Sequence, residues 1–278
     1  MNTPEDTYPP KQHIIRDLAP VIERNADGAE ILLPVVPELL DESGRLRAGS
    51  AAMIVDVIAG DYAIREVLPN WVATSNMSLQ LGLLPSEGTL RARPRLLRRG
   101  KTTAVLEVSL DHLESGKSNG LSTVAFSILP VRTEFQTRAH WVEEPEPRTT
   151  FALPGSGFRK PLLEMLDVRF DPADTSVLRI EMSPYVVNTL GAIQGGVVAM
   201  AIDAAADHYA TSVLGAAPCV RSLEIHYLKL AKIGPVRAQV RTISELQNGL
   251  ALRVELRDEG QSDVLLTVAS IIIERSQA

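Results

Sequence analysis

The chain has 278 residues, a formal net charge of -6 at pH 7 and a composition that is 45% hydrophobic. A negative charge balance offers no general attraction for nucleic acid, so we expect no nucleic-acid partner. The single cysteine excludes an intrachain disulfide and a cysteine-based metal site, and we predict neither a metal nor a cofactor.

The first segment, MNTPEDTYPPKQHIIRDLAP, contains acids and prolines in place of the basic and apolar runs of a signal peptide. No apolar run reaches the ~18 residues that a membrane span requires. We therefore expect a cytoplasmic protein without a membrane partner. After a short amphipathic lead-in, KQHIIRDLAPVI, the chain continues with a strand ending at proline, AEILLPVVP, then a glycine turn and a helix of small residues.

The C-terminal half has the same order of elements. A lead-in, FRKPLLEMLDV, precedes a strand ending at proline, SVLRIEMSP, and a glycine turn followed by a small-residue helix. Several of the following segments alternate polar and apolar residues, which predicts β-strands. These segments are SLEIHYLKL, GPVRAQVRTISEL, LALRVELRDEG and VLLTVASIIIE. One central helix followed by antiparallel strands indicates an α+β unit, in which the sheet wraps the helix.

An internal repeat explains this order. An offset of 147 positions aligns Gly44 with Gly191, Gly49 with Gly196 and Asp56 with Asp203 without a gap. We therefore predict two related domains, 10–136 and 158–278, with a linker over 137–157 that is rich in proline, glycine and charge. We expect the two domains to join edge to edge in one long sheet, with both helices on the same side.

Each predicted helix carries an aspartate among apolar residues, Asp56 in the first copy and Asp203 in the second. An ionised carboxylate in an apolar setting is costly unless another group pairs with it or the protein uses it. Each is therefore either a satisfied structural aspartate or a functional group. Two aspartates at the same repeat position make a functional role more credible than an incidental charge.

The turn and helix of the second copy resemble a known family. The pattern N-x-x-G-x-x-[HQ]-G-G, with an aspartate seven residues after the last glycine, is filled at positions 188–203, and RSLEIHYLKLAKIGP follows. It is similar to the PaaI-type and 4-hydroxybenzoyl-CoA thioesterase-like superfamily of hot-dog acyl-CoA thioesterases. The resemblance implies a double hot dog, an α+β fold with two antiparallel sheets each wrapped around a helix and joined as a pseudo-dimer. It also implies acyl-CoA as the substrate and thioester hydrolysis as the activity.

In the resembling family each site combines the turn and helix start of one unit with the aspartate and hydroxyl of the other. Carried over, this implies one site from Asn188, Gln194 and Gly195 facing Asp56 and Ser75. The second site takes residues from the opposite copies, which are Asp41, Arg47 and Ala48 facing Asp203 and Ser222. Free backbone N–H groups at Gly195 and Gly196 suit an oxygen that becomes negative, and the aspartate acts as general base or nucleophile. Glutamine stands where histidine is common, which excludes an imidazole base there.

We expect the two sites to be unequal, because Arg47 replaces Gln194 and Asp41 replaces Asn188 in the second. An Asp41–Arg47 salt bridge would plug that site, or Arg47 would bind an anionic substrate. Ser75 and Ser222 either serve the chemistry or bond local backbone, and Asn188 either contacts substrate or orients its turn. Asp207 is expected to be solvated.

Basic residues in RARPRLLRRGK, including Arg91, and their counterpart Arg237 either form charged strand edges or bind the phosphates of coenzyme A. The alternative function is a non-catalytic acyl-CoA-binding or regulatory protein. We expect assembly into homo-oligomers of the double hot-dog chain.

Overall fold

The computed structural model describes residues 8–25, 28–131 and 146–275. Four α-helices lie in these ranges: α1 (Ile14–Leu18), α2 (Ala48–Val67), α3 (Leu162–Met165) and α4 (Gly195–Leu214). The strands of the N-terminal half are β1 (Val21–Asn25), β2 (Gly28–Pro34), β3 (Trp71–Leu81), β4 (Thr89–Arg99), β5 (Thr103–His112) and β6 (Ser118–Leu129). The remaining strands are β7 (Arg148–Thr150), β8 (Arg169–Phe170), β9 (Val177–Ile180), β10 (Pro218–Tyr227), β11 (Val236–Leu246), β12 (Gly249–Asp258) and β13 (Val264–Arg275).

All thirteen strands belong to one sheet, with the order β7-β1-β2-β4-β5-β6-β3-β10-β13-β12-β11-β9-β8. Within the described ranges, every pair of neighbouring strands is antiparallel. The two halves of the chain meet where β3 pairs with β10, in a register that sets Leu79 opposite Leu223 and Gln80 opposite Ser222. The predicted α+β class, with a large antiparallel sheet and central helices, is confirmed.

The predicted small-residue helices are α2 and α4, and they pack against each other. Their contact is close because glycine stands at the crossing: a Cβ on Gly49 would lie 2.6 Å from the Cα of Met200. The repeat-related contact is the same, since a Cβ on Gly196 would lie 2.8 Å from the Cα of Met53. Glycine at both positions therefore lets two helix backbones approach more closely than any side chain would allow.

Part of the predicted linker is outside the described residues, which resume at residue 146. In the described part, Arg148–Thr150 forms strand β7 and pairs with β1, so this stretch extends the sheet. Helix α1 also bridges the two halves, because the Ile14 N–H donates to the Tyr185 carbonyl oxygen at 3.1 Å. The segment before the first sheet strand thus packs on the turn region of the other half. No helix in the described ranges is long and apolar enough to cross a membrane.

We predict that Gly49→Ala lowers the free energy of unfolding by about 1 to 3 kcal/mol, because the new methyl group forces α2 and α4 apart. Gly60→Ala in the same helix is the matched control, since a Cβ there meets nothing within 4 Å. It should raise the free energy of unfolding by about 0.5 to 1 kcal/mol through helix propensity. Urea denaturation measures both, and equal effects of the two variants would contradict the close crossing.

Candidate active site

Asp56 lies in the middle of α2 and faces the first residues of α4, which belong to the other half of the chain. The Gly196 N–H donates to its Oδ2 at 3.1 Å, and the Thr74 hydroxyl donates to its Oδ1 at 2.8 Å. Burial raises the pKa of Asp56 above its ordinary value, although these two hydrogen bonds oppose the shift. The crossing of the two helices thus brings a carboxylate of one half to the helix N-terminus of the other.

The start of α4 is built to receive an anion or a polarised oxygen. Gly195 is its first residue, and among the described residues its N–H has no hydrogen-bond partner. A Cβ at Gly195 would lie 3.0 Å from the Asp56 carboxylate, so glycine leaves the space between them open. An N–H group at a helix N-terminus favours a negatively charged oxygen. The N–H groups without intrahelical partners and the positive end of the helix dipole both lie there.

Two side chains flank this helix start. Gln194 is only 7% exposed, and its amide oxygen has no hydrogen-bond partner within the described ranges. The Tyr227 hydroxyl donates to the Gly195 carbonyl oxygen at 3.0 Å. That carbonyl belongs to the same peptide unit whose N–H, on Gly196, donates to Asp56. Tyr227 therefore fixes the orientation of the peptide that contacts the carboxylate.

Thr74, and not the predicted Ser75, supplies the hydroxyl at Asp56. The Ser75 hydroxyl donates to the Ala125 carbonyl oxygen at 3.0 Å, and a bulge interrupts the β3–β6 register between Thr74 and Asn76. An extra residue at a bulge re-aims neighbouring side chains. The sequence signal for Thr74 is that two hydroxyl residues are adjacent, and the motif spacing points to Ser75, whose hydroxyl bonds backbone in the structure.

Asn188 shapes the turn before α4. Its side-chain oxygen accepts hydrogen bonds from the N–H groups of Leu190 at 2.9 Å and Ala192 at 3.2 Å. Asp41 does the same in the first copy, where Oδ1 accepts from the N–H groups of Ser43 and Arg45. Each residue thus orients its turn, although Asn188 also lines the cavity described next.

A cavity of about 1020 Å³ opens beside Asp56. Its wall contains the predicted residues Asn188, Gln194, Gly195 and Ser75, together with Thr74. Its apolar wall comes from α2, β3, β6 and the loop after β10, and it includes Val57, Ile64, Trp71, Val72, Phe126, Leu228 and Leu230. The volume lies at or slightly above the upper end of the ~300–1,000 Å³ range of small-molecule sites.

The repeat-related position at Asp203 is closed. Only about 20 Å³ is open beside Asp203, Arg47 and Ala48, which is room for about one water molecule. The predicted Asp41–Arg47 salt bridge is wrong, because Arg47 pairs with Asp207 at 3.2 Å, with the two side chains 11% and 15% exposed. Asp207 was expected to be solvated, but the helix crossing places it against the other half's turn.

Asp203 itself is 3% exposed, and no hydroxyl within the ranges that the structure describes donates to it as Thr74 does to Asp56. The Ser222 hydroxyl instead accepts a hydrogen bond from Gln80, and Arg221, at the repeat position of Thr74, pairs with Glu274. Burial raises the pKa of Asp203 to about 7, although Arg47 opposes the shift. The second position thus has the carboxylate but neither the hydroxyl nor the open space.

The two arginines predicted to contact coenzyme A are engaged elsewhere. Arg91 pairs with Asp111 at 2.8 Å, and Arg237 pairs with Glu259 and Asp263, each at 2.9 Å. Neither lines the cavity at Asp56. The geometry therefore favours charged strand edges over phosphate binding at these two positions.

Neither a family model nor a curated protein matches the sequence. Solved structures do match over nearly the whole chain. The tesB protein of Mycobacterium avium subspecies paratuberculosis is 11% identical, with 92% of this chain and 96% of that chain covered and a TM-score of 0.64. An acyl-ACP thioesterase from Bacteroides thetaiotaomicron is 14% identical, with 88% and 97% covered and a TM-score of 0.58. A conserved protein with a hot-dog fold from Alicyclobacillus acidocaldarius is 11% identical, with 96% and 99% covered and a TM-score of 0.58.

The chain has the hot-dog fold. At these identities the likeness concerns the fold alone, so the chemistry must be argued from the residues at Asp56.

The raised pKa of Asp203 predicts a pH-dependent stability. An acid whose folded pKa exceeds its unfolded value contributes most below the unfolded pKa of about 3.9, and this contribution is lost as pH rises through the folded value. The free energy of unfolding should therefore fall as pH rises from about 4 towards 7, the value that Asp203 reaches. Asp203→Asn should flatten this fall. Urea titrations at several pH values test it, and an unchanged slope in the variant would contradict the assignment.

Proposed function

We propose that this protein is a thioesterase that hydrolyses an acyl-CoA thioester to the free acid and coenzyme A, and that Asp56 activates the water. The observation that carries the proposal is the juxtaposition, in one open cavity, of Asp56 with the Gly195 N–H, which has no hydrogen-bond partner in the described part of the chain. A base and an oxyanion donor at one point are the two requirements of acyl transfer. The proposal agrees with the activity of a fold relative, the acyl-ACP thioesterase from Bacteroides thetaiotaomicron.

In the proposed reaction, the substrate carbonyl oxygen accepts a hydrogen bond from the Gly195 N–H, and Gln194 adds a side-chain donor. Water attacks the carbonyl carbon while its proton passes to Asp56. The tetrahedral intermediate then collapses, the carbon–sulfur bond breaks, and the proton on Asp56 passes to the departing thiolate. A raised pKa of Asp56 suits both transfers, since a catalytic group works best when its pKa lies near the operating pH.

We further propose that the chain is a tandem double hot dog of the PaaI type, with domains over 10–136 and 158–278 that pair as a pseudo-dimer. The repeat supports this, as do the equivalent contacts of Gly49 with Met200 and Gly196 with Met53. The site at Asp56 is then composite and active, and the one at Asp203 is inactive because the Arg47–Asp207 pair fills it. Homo-oligomerisation and a cytoplasmic location remain expectations from the sequence.

Asp56→Asn should reduce the release of free thiol from acyl-CoA by about a hundredfold or more, because the amide cannot accept the proton of the attacking water. Asp203→Asn is the matched control and should reduce release by less than about tenfold. Thiol release across a panel of acyl chains, measured on folded protein, tests this. The opposite ranking would contradict the pairing, and binding of acyl-CoA without turnover would favour the non-catalytic alternative.

Thr74→Val should lower kcat by about tenfold or more, because the variant loses the hydroxyl that holds the Asp56 carboxylate in place. Ser75→Ala is the neighbouring control, and it should stay within about twofold because its hydroxyl bonds the backbone of β6. A larger loss in Ser75→Ala than in Thr74→Val would show that the original motif assignment was right.

A further inference from the structure

The wall of the cavity at Asp56 contains both apolar and ionic side chains of α2. Asp56 stands near one part of it, and Val57, Ile64 and Trp71 supply an apolar wall. Asp61 and Arg65 follow Asp56 by five and nine residues on the same helix, which sets them about 7.5 and 13.5 Å further along the helix axis. Ionic side chains therefore lie among the apolar ones over this stretch of the cavity wall. Arg24, Asp61, Arg65, Glu146 and Thr149 all line the cavity, and we call the four that side-chain hydrogen bonds join, Arg24, Asp61, Arg65 and Thr149, the distal cluster.

The distal cluster is held together by short contacts. Arg24 Nη2 donates to both oxygens of Asp61, at 3.1 and 3.0 Å, and its Nη1 donates to the Thr149 hydroxyl at 3.1 Å. Arg65 donates to the same two Asp61 oxygens, each at 3.3 Å. The Arg24 and Asp61 side chains are only 11% and 13% exposed. The cluster is therefore an ordered and largely desolvated part of the cavity wall.

This composition selects against an acyl group that is apolar to its tip. A terminal methyl group placed here would desolvate ions without offering them a hydrogen bond, which is costly. Each Asp61 oxygen already accepts from two guanidinium groups, so a ligand donor finds little acceptor capacity at Asp61. Arginine only donates, so the matching ligand group is a hydrogen-bond acceptor, and a carboxylate fits two guanidinium groups best.

The second copy lacks the cluster. The offset of 147 positions puts Asp171, His208 and Ser212 where Arg24, Asp61 and Arg65 stand. His208 there stacks on Phe170, with ring centroids 4.1 Å apart. The cluster therefore occurs only in the copy that has the large cavity. A purely structural role, in which the cluster only joins β1, β7 and α2, would not require its side chains to line the cavity.

We propose that the distal cluster binds the far end of the acyl group, and that the substrates are thioesters of medium-length acyl chains with a terminal carboxylate. This inference rests on the proposed thioesterase function. The helix geometry sets the expected length of the acyl chain. The thioester lies at Asp56, and the terminal carboxylate lies about one and a half to two and a half turns further along α2.

The test compares an ω-carboxyacyl-CoA with the unsubstituted acyl-CoA of the same carbon number. Wild-type protein should prefer the carboxylated thioester by about tenfold in kcat/KM. Arg65→Gln and Arg24→Gln should each lower kcat/KM for the carboxylated thioester by about tenfold and leave the unsubstituted one within about twofold. Arg179→Gln, which removes an arginine paired with Asp171 and Glu259 outside the cavity, is the control and should change neither.

A wild-type preference for the unsubstituted chain, or equal losses on both thioesters in the two variants, would overturn the inference. Arg65→Gln keeps the test valid if Arg24→Gln fails to fold, because the Arg65 side chain is more exposed than that of Arg24. If neither thioester is hydrolysed, the proposed function fails and binding of non-hydrolysable thioether analogues decides the inference separately. Tighter binding of the carboxylated analogue, lost in Arg65→Gln, would support it, and equal binding would overturn it.

Discussion

The close crossing of α2 and α4 is the constraint on which the site depends. Glycine at positions 49 and 196 removes the side chains that would separate the helices, so their backbones lie in contact. Because the crossing falls within about the first one and a half turns of each helix, the aspartate of one helix reaches the first N–H groups of the other. The hydrogen bond from Gly196 to Asp56 is the direct result. A wider crossing would take the Gly196 N–H away from Asp56 and leave the Thr74 hydroxyl as its hydrogen-bond donor.

The same crossing produces two unequal positions from one repeat. At the first, Gln194 and Gly60 stand in the cavity wall beside Asp56, and the absence of a side chain at Gly60 helps to leave the space open. At the second, the equivalent residues are Arg47 and Asp207, which attract each other and close the space. The Arg47–Asp207 pair thus occupies the space that Gln194 and Gly60 leave open in the other copy, because the two residues lie on opposite sides of a single gap.

The wall of the open cavity combines chemically different groups. A carboxylate with a raised pKa lies beside the Gly195 N–H, which has no hydrogen-bond partner among the described residues, and the same cavity wall contains apolar side chains and the Arg24–Asp61 ion pair. Each environment is costly alone, since buried ions and orphan N–H groups oppose folding. A ligand with matching polarity would contact all of them in one cavity, and their common place in the wall is the basis for the inference about the acyl group.

The sequence by itself determined the α+β class, the twofold repeat and the two helices with their central aspartates, because periodicity and composition report local structure directly. It also indicated that Asp56 and Gln194 belong near one another, through the repeat and the motif. The partner of Asp56 had to come from tertiary structure: a bulge in β3 turns Thr74 towards the carboxylate and Ser75 away. The Arg47–Asp207 pair and the distal cluster were likewise hidden, since their members are 160 and 37 residues apart in the chain. Such contacts depend on how the halves pack, and no local pattern in the chain encodes that packing.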